Sequence, residues 1–420
     1  MEAFLSQFIF TYNIRMMKHI IILGDGMADE PCEALGGLTP LEAADTPALD
    51  RLAALGKTGL LHTVPEGFQP GSEIAHLSLL GYNLPDVFEG RGTLEAASMG
   101  IDIAPGEMAM RCNLVCITPD GILKNHSAGH ISTEEGAELM AYLNEKLGGG
   151  RASFHPGVSY RHVLKIKDGD KRIECTPPHD VPGTPAREVM PRPLVPEAAP
   201  TSDYVAWLIR ESQKLLADHP VNRRRLAEGK DPATSIWPWS PGYKPAMKTM
   251  AELFGIGKGY VISAVDLIRG LGVYAGLEPI DVEGATGLYD TNYEGKLQAA
   301  LDALRGDADF VFLHIEASDE AGHEGDALLK KLTVENLDRR IVGPLLETLK
   351  DFGEDVAVAL LPDHPTPCSI RTHTASPVPF VIWRSDVEPD GVKSYTEKSV
   401  ATGGYGVMSG DEFIKEFLKK

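Results

Sequence analysis

FVFLHIEASDEAGHEG, residues 310–325, is the stretch that decides the fold. The apolar run at 310–315 predicts a buried strand, and a cluster of acids and histidines follows it directly. Asp319 and His323 are four residues apart, so one turn of helix would turn both side chains toward a single metal ion. The stretch therefore predicts a strand that delivers metal ligands at its carboxyl end.

Ligand-type residues adjoin short apolar runs at three further places in the chain. Each fragment alone also fits a β-turn or a structural histidine. Parallel strands carry their carboxyl ends to one edge of a sheet, where such residues would converge. Taken together, the fragments predict a multi-metal site for hydrolysis or phosphoryl transfer. The residues concerned are Asp25, Asp363, His364 and His373.

Composition narrows the classes of partner. The 420 residues carry a formal net charge of −20, which argues against nucleic acid or an anionic membrane surface as a partner. No apolar run approaches the roughly 20 residues of a membrane span. The five cysteines lack paired metal spacing, which is typical of a protein from the reducing cytoplasm.

Strand-like and helix-like segments alternate at both ends of the chain, including one long helix predicted over 327–352. This alternation predicts an α/β fold with a mostly parallel sheet. The middle differs, because alternating strands are mixed there with proline-rich loops, which indicates an inserted α+β cap domain. The predicted organisation is an extension at 1–16, a core at 17–107 and 241–420, and a cap at 108–240.

Ser72 lies in QPGSE at the start of a predicted helix over 72–81. A helix N-terminus favours an anion, so this serine is expected either to cap the helix or to hold a phosphate. An acidic protein that handles a phosphorylated substrate must place cations locally. Arg91, in a loop flanked by glycines, is one candidate, and the arginine run at 223–225 is another, although such a run is also typical of a solvated helix face.

The motifs resemble the alkaline phosphatase superfamily and, more closely, the archaeal-type cofactor-independent phosphoglycerate mutases. The resemblance runs from about residue 17 to the C-terminus. Its most specific pieces are ILGDGMAD at 22–29, TPLEAADTPALD at 39–50, GSEIAHLSLLGY at 71–82, HSAGHIS at 126–132, IEASDEAGHEGD at 315–326 and LPDH at 361–364.

This resemblance implies an alkaline-phosphatase-like core with an inserted cap, and interconversion of 3-phosphoglycerate and 2-phosphoglycerate through a phosphoserine at Ser72. It implies two divalent ions, with Mn²⁺ favoured over Mg²⁺, Zn²⁺ or Co²⁺. One ion would be held by Asp25, Ser72, Asp363 and His364, and the other by Asp319, His323 and His373.

The same resemblance implies a small phosphorylated substrate. Together with the composition, we expect a monomer or small homo-oligomer in the cytoplasm, with no nucleic-acid or membrane partner. The substrate would be held by residues of the cap and nearby loops. These are Arg91, His130, Arg161, His179, Asp180, Asn222 and Arg225.

The chain departs from the family at Trp237-Pro238-Trp239, where relatives usually continue with an Arg-bearing turn after the position of Asn222. A subgroup with such an aromatic signature is associated with homoserine kinase activity in threonine synthesis. Phosphoryl transfer to homoserine is therefore the main alternative, and a metal-dependent phosphomonoesterase is another. A metal-binding regulatory protein without turnover is the alternative from a different class.

Overall fold

The computed structural model describes residues 17–419, so the extension predicted at 1–16 lies outside the described residues. The strands are β1 (Lys18–Gly24), β2 (Lys57–His62), β3 (Glu107–Ile117), β4 (Leu123–Asn125), β5 (Ala152–His155), β6 (Arg161–Lys167), β7 (Ile173–Glu174), β8 (Arg192–Pro193), β9 (Ser235–Gly242), β10 (Gly259–Ile262), β11 (Glu278–Pro279), β12 (Phe310–Ile315), β13 (Val356–Leu361), β14 (Val378–Trp383) and β15 (Gly406–Ser409).

The helices are α1 (Pro40–Ala43), α2 (Pro47–Leu55), α3 (Ser72–Leu79), α4 (Leu84–Val87), α5 (Arg91–Ser98), α6 (Thr133–Leu147), α7 (Ala199–Leu216), α8 (Pro220–Ala227), α9 (Met250–Phe254), α10 (Asp266–Tyr274), α11 (Tyr293–Arg305), α12 (Ala317–Glu324), α13 (Ala327–Leu337), α14 (Gly343–Leu349), α15 (Glu397–Val400) and α16 (Gly410–Phe417). Within residues 17–419, none of these helices is both long and apolar enough to cross a bilayer.

The chain packs into two compact units. The first combines residues 17–65, 254–262 and 280–419, and the second combines residues 66–253 and 263–279. Residues 66–107 thus pack with the second unit, whereas the predicted cap begins at residue 108. The domain borders predicted for the core and the cap therefore stay a prediction.

The first unit is built on a mostly parallel sheet. Seven of its strands follow the order β10-β12-β1-β13-β14-β2-β15. The strands β10, β12, β1 and β13 are parallel, β14 runs antiparallel to both its neighbours, and β15 is parallel to β2. The predicted α/β class with a mostly parallel sheet is confirmed.

Burial explains why β1, β12 and β13 lie in the middle of this sheet. Every residue of β12 and β13 is buried, as the near-continuous apolar sequences FVFLHI and VAVALL predict for strands covered on both faces. In the register, Ile21 of β1 lies opposite Phe312 of β12 and Ala359 of β13. The carboxyl ends of these three strands therefore reach the same edge of the sheet.

The chain is helical over 327–349, close to the predicted 327–352, but the helix is not regular throughout. The structure has α13, then a π-helical turn at Asp338–Val342, then α14, which ends at Leu349. Pro344 is the physical reason, because it has no N–H to donate to the carbonyl of the preceding turn. In this turn the buried carboxylate of Asp338 accepts the backbone N–H of Leu49 at 2.7 Å and so anchors α2.

The second unit is α+β, as predicted for the inserted part of the chain. Its five-stranded sheet is antiparallel, with β3 as the long strand paired to β4, β6 and β9. Cys112 and Leu114 of β3 belong to an apolar core shared with α6 and α7. Cys112 and Cys116 are both buried free thiols.

Candidate functional site

Six of the predicted metal ligands come together in the first unit because of where its strands end. Asp25 directly follows β1, and Asp363 and His364 begin two residues after β13. Asp319 and His323 lie on α12, which begins two residues after β12, and His373 lies in the segment between β13 and β14. Neighbouring parallel strands thus place distant parts of the sequence at one edge, as the sequence predicted.

The first group of ligands is Asp319, His323 and His373, whose ligand atoms all lie within 4.8 Å of one another. Nε2 of His323 is 3.2 Å from Oδ2 of Asp319, and Nε2 of His373 is 3.4 Å from Oδ1. The two histidine Nε2 atoms are 2.9 Å apart. Two imidazole nitrogens and a carboxylate aimed at one point form a donor set suited to a divalent transition metal.

The second group is Asp25, Asp319 and His364, again within 4.8 Å. Asp319 therefore belongs to both groups. The neighbouring Asp363 accepts the N–H of Gly26 at 3.0 Å and lies 3.1 Å from Nε2 of His364. Asp25, Asp363 and His364 have no solvent exposure, and Asp319 is nearly as buried.

The buried acids of this site have pKa values far from their usual ones. Burial and the charges of Asp363 and Glu316 raise the pKa of Asp25 well above its usual value. Burial and Asp319 likewise raise the pKa of Glu316 to about 8. Burial also opposes ionisation of Asp319, but hydrogen bonds from His323 and His373 outweigh it and hold its pKa well below the usual value. Crowded carboxylates that resist ionisation are what a bound cation would relieve.

The hydrogen bond that His323 donates to the carboxylate of Asp319 raises the pKa of His323 to about 9, despite partial burial. On its other side, Nδ1 of His323 lies 3.0 Å from the carbonyl oxygen of Arg371. A carbonyl can only accept, so Nδ1 carries a proton and Nε2 is the nitrogen that faces the ligand group.

The backbone and surroundings of Gly26 explain why a glycine follows Asp25. The φ of Gly26 is +58°, and a Cβ at this position would lie 2.6 Å from both Cα of Asp319 and Oγ1 of Thr366. A side chain would therefore push apart the loops that bear the ligands. Glycine is therefore required here by close approach as well as by backbone conformation.

Lys330 of α13 joins two ligand-bearing loops. Its fully buried Nζ donates to Oδ2 of Asp29 at 2.7 Å, to the carbonyl of Ala28 at 3.0 Å and to the carbonyl of Thr366 at 2.9 Å. The first two acceptors follow β1 and the third follows β13. This ammonium group therefore ties together the segments that carry Asp25 and Asp363.

Three residues of this region extend the predicted set. Nε2 of His314 shares a hydrogen bond with Oδ2 of Asp25 at 2.8 Å. Glu316 and Thr366 were not predicted. Glu316 could have been singled out as an acid directly after a buried strand, whereas the hydrogen bond from Oγ1 of Thr366 to Asp319 has no local sequence signal.

Ser72 lies in the second unit, as the first residue of α3. Gly71 precedes the helix in extended conformation and forms no side-chain cap, so Ser72 opens the helix rather than capping it. Nearby, Arg91 binds Glu73 through two hydrogen bonds, from Nε to Oε1 at 3.0 Å and from Nη2 to Oε2 at 2.9 Å. Arg91 is thus fixed in orientation within this unit.

The other predicted substrate residues all lie in the second unit and differ in their surroundings. His130 is exposed, and His179 lies 3.5 Å from Asp180 and packs its ring against Trp239. Arg161 stacks near Tyr160, with its guanidinium carbon 5.8 Å from the ring centroid.

Asn222 and Arg225 are instead buried within the second unit. The amide of Asn222 bonds to Leu216 and twice to Ala233, and the guanidinium of Arg225 pairs with Glu135. Their role in substrate binding stays a prediction, since these contacts also explain them as structural.

The departure at 237–239 is part of β9. Trp237 and Trp239 are almost fully buried, with 1% and 4% of their surface exposed. Nε1 of Trp237 donates to the carbonyl of Thr176 at 2.9 Å, and Nε1 of Trp239 donates to Oδ1 of Asn113 at 3.1 Å. The aromatic signature is therefore built into the sheet of the second unit.

The first unit has a mostly parallel sheet, and carboxylates and histidines lie at the ends of its strands. These features define the class: an α/β protein with residues that could hold metal ions. The model of the 2,3-bisphosphoglycerate-independent phosphoglycerate mutase family matches residues 53–222. The chain is 47% identical to the enzyme of that name from Methanosarcina acetivorans, over 96% of this chain and 100% of the relative. It is 48% identical to the one from Methanothrix thermoacetophila, over 95% and 99%. The chain belongs to the 2,3-bisphosphoglycerate-independent phosphoglycerate mutase family.

Solved structures agree. A protein from Pyrococcus horikoshii matches with a TM-score of 0.81 and 29% identity, over 96% of this chain and 97% of that one. A cofactor-independent phosphoglycerate mutase from Thermoplasma acidophilum matches with a TM-score of 0.67 and 28% identity, over 96% and 99%. The resemblance expected from the motifs is confirmed.

Proposed function

We propose that this chain interconverts 3-phosphoglycerate and 2-phosphoglycerate without added 2,3-bisphosphoglycerate. The observation that carries the proposal is the match to the Methanosarcina acetivorans enzyme of that name, which spans the whole relative. Similarity confined to the sheet would support the fold alone, but this match includes both compact units. The family's reaction is therefore the best assignment for this chain.

The described donor set fits two divalent ions. Oδ1 of Asp25 is buried and accepts no hydrogen bond within residues 17–419, which favours a cation as its partner. We assign Asp319, His323 and His373 to one ion, and Asp25, Asp363 and His364, with Ser72, to the other. Mixed carboxylate and imidazole donors suit Mn²⁺, Zn²⁺ or Co²⁺ better than Ca²⁺, and Mn²⁺ is our first choice. When bound, such ions supply positive charge for the phosphoryl oxygens and lower the pKa of a hydroxyl nucleophile.

Ser72 is the proposed nucleophile. In the first half-reaction its Oγ forms a bond to phosphorus while the bond from phosphorus to the substrate oxygen breaks. The hydroxyl proton of Ser72 ends on the departing glycerate oxygen. In the second half-reaction the other glycerate hydroxyl takes the phosphoryl group and returns a proton to Ser72. The net change is an isomerisation, with no phosphate released.

Arginines of the second unit are proposed to hold the substrate during this exchange. Arg91 keeps a fixed orientation through Glu73, and Arg161 forms no ion pair within the part of the chain that the structure describes. Guanidinium groups bind carboxylate or phosphate through two parallel hydrogen bonds, which would retain glycerate while it turns.

Phosphorus NMR tests the proposal directly. Purified protein is incubated with Mn²⁺ and 3-phosphoglycerate, with no bisphosphoglycerate present. We expect a 2-phosphoglycerate signal that rises to a plateau without free phosphate. The variant Ser72→Ala, checked for folding by circular dichroism, should give no new ester signal.

Three results would contradict parts of this assignment. Free phosphate alone would make the protein a phosphomonoesterase. No reaction of folded, metal-loaded protein with 3-phosphoglycerate, but transfer to homoserine from a nucleotide, would place it in the homoserine branch. Near-normal turnover by Ser72→Ala would exclude Ser72 as the nucleophile.

A further inference from the structure

One face of the sheet in the second unit carries an unusual set of polar and aromatic side chains. Arg111 and Asn113 are two residues apart on β3, so their side chains share a face. In the register, Asn113 lies opposite Arg161 of β6, and Arg111 lies opposite Trp239 of β9. Directly opposed residues also share a face, so three adjacent strands contribute to one surface.

Arg111 is held in place from three sides. Its Nη1 donates to Oε1 of Glu95 at 2.8 Å, and its Nε donates to Oδ1 of Asn113 at 3.3 Å. Its guanidinium carbon lies 5.0 Å from the ring centroid of Trp239, a cation–π distance. Nη2 makes no hydrogen bond to any residue in the range 17–419. The group therefore has a fixed orientation and one nitrogen left over to bind something else.

The start of α5 explains how this arrangement arises. A Cβ at Gly92 would lie 2.6 Å from the backbone nitrogen of Arg111, so only glycine allows the helix to touch β3 this closely. The contact places Glu95, one turn further along α5, within reach of Arg111. Arg91, at the first position of the same helix, already has its own partner in Glu73. Two arginines are thus brought near one another, each oriented by its own carboxylate.

Arg161 adds a second arginine to the face of the sheet that carries Arg111. Its Nε is buried and has no hydrogen-bond partner within the described chain. Arg161 is the diagonal neighbour of Arg111 on the adjacent strand, a relation in which Cα atoms are typically about 7–8 Å apart and long side chains can meet. A buried donor without a partner is costly, and an anionic ligand shared with Arg111 would satisfy it.

We infer that Arg111 is a further substrate-binding residue, which together with Arg161 binds a carboxylate or phosphate group of the phosphoglycerate. The inference rests on the proposed function for the identity of this anion. The alternative role of Arg111 is purely structural, as the partner of buried Glu95. The two roles differ in one measurable way: only the first makes ligand affinity depend on Arg111.

Binding can be measured without turnover in the Ser72→Ala background. Calorimetric titration with 3-phosphoglycerate in Mn²⁺ buffer gives the dissociation constant, with Arg111→Gln as the test variant. We expect affinity to fall by about 10- to 100-fold, the usual effect of losing a charged hydrogen bond. Lys165→Gln is the matched control, because Lys165 is paired with Glu107 on the same sheet but lies beyond the cluster. The control should bind like the parent.

Arg111→Gln leaves Glu95 buried without its cation and could unfold. The double variant Glu95→Gln/Arg111→Gln removes both charges and tests binding in a neutral context. Parental affinity in a folded Arg111 variant, or equal weakening by Lys165→Gln, would overturn the inference while leaving the reaction intact. Failure of the parent to bind 3-phosphoglycerate, together with no mutase activity in the unmodified protein, would overturn the proposed function and this inference with it.

Discussion

Nδ1 of His323 donates a hydrogen bond to the carbonyl oxygen of Arg371, 3.0 Å away, and Nε2 of the same ring faces His373. The bond fixes the rotation of the ring and keeps a proton on Nδ1. Arg371 has a φ of +57°, a left-handed conformation that is uncommon for a residue with a side chain. The backbone thus holds an unfavourable conformation at the residue that orients a candidate metal ligand.

Asp319 belongs to both ligand groups, and its replacement should affect both. In Asp319→Asn we expect Mn²⁺ affinity to fall more than about 100-fold, because a direct anionic ligand becomes a neutral amide, a larger change than the loss of an outer partner. His373→Gln, which changes one group only, should retain more metal. Metal content after dialysis, measured by plasma mass spectrometry, checks whether Asp319→Asn loses more metal than His373→Gln.

The control for this experiment is Glu320→Gln, which removes the adjacent acid on α12 but changes neither group. It should keep the parental metal content. If His373→Gln loses as much metal as Asp319→Asn, the two groups act as a single site, contrary to the prediction.

Lys330 should be essential for stability. Lys330→Met leaves the carboxylate of Asp29 and two carbonyls buried without their donor, so we expect unfolding free energy to fall by about 3–5 kcal/mol. Lys331→Met removes the neighbouring, partly exposed lysine and should cost less than about 1 kcal/mol. Urea unfolding followed by circular dichroism compares them.

The ion pair between Asp29 and Lys330 can be tested further with the double variant Asp29→Asn/Lys330→Met, which removes both charges. The double variant should be more stable than Lys330→Met alone, because the uncompensated carboxylate is gone. Equal losses for Lys330→Met and Lys331→Met would show that the buried contacts contribute little.

His162 should make the folded state sensitive to acid. Burial lowers its pKa to about 3, and its Nδ1 accepts the N–H of Gly157 at 3.0 Å. The unfolded chain binds the proton near pH 6.5, so the stability from neutral His162 is complete above that pH and declines as pH falls from about 6.5 toward 3. This residue alone should lower the free energy of unfolding by about 1–2 kcal/mol between pH 7 and pH 5.

His162→Gln keeps an acceptor for Gly157 but cannot titrate. Its stability should therefore fall less steeply with acidification than that of the unmodified protein, so the gap between them narrows as pH decreases. Urea midpoints at pH 7, 6 and 5 give the comparison. Parallel curves would show that His162 has the same proton affinity in both states.

Gly270 of α10 should tolerate no side chain. A Cβ there would lie 1.7 Å from the carbonyl oxygen of Leu94 on α5, which is impossible without separating the helices. Gly270→Ala should lower stability by about 3 kcal/mol or more, the upper range for overpacking. Gly343→Ala, in another helix, meets its nearest neighbour at 3.3 Å and should change stability by less than about 1 kcal/mol. Thermal melts distinguish the two.

The sequence predicted the site of the first unit better than that of the second for a physical reason. Asp25, Asp319 and Asp363 follow apolar strands, and strand order converts that local pattern into convergence. Arg111 offers a weaker signal, because it is one of two charged residues in the mostly apolar strand EMAMRCNLVCI. Its orientation depends on Glu95, Asn113 and Trp239, and no short-range pattern encodes those contacts. Pro344 indicates an irregular helix in the sequence, but no short-range pattern encodes the π-helical turn before it.

The position of β1 between β12 and β13 has a consequence for synthesis. β1 is synthesised long before β12 and β13, the two strands that it pairs with. Residues 66–253 form most of the second unit from one nearly continuous segment and can begin folding earlier. Pairings of such long sequence separation form slowly. A nascent chain therefore carries Asp25 for most of its synthesis before its partner ligands exist, and the candidate metal site can assemble only after the C-terminal strands have been released.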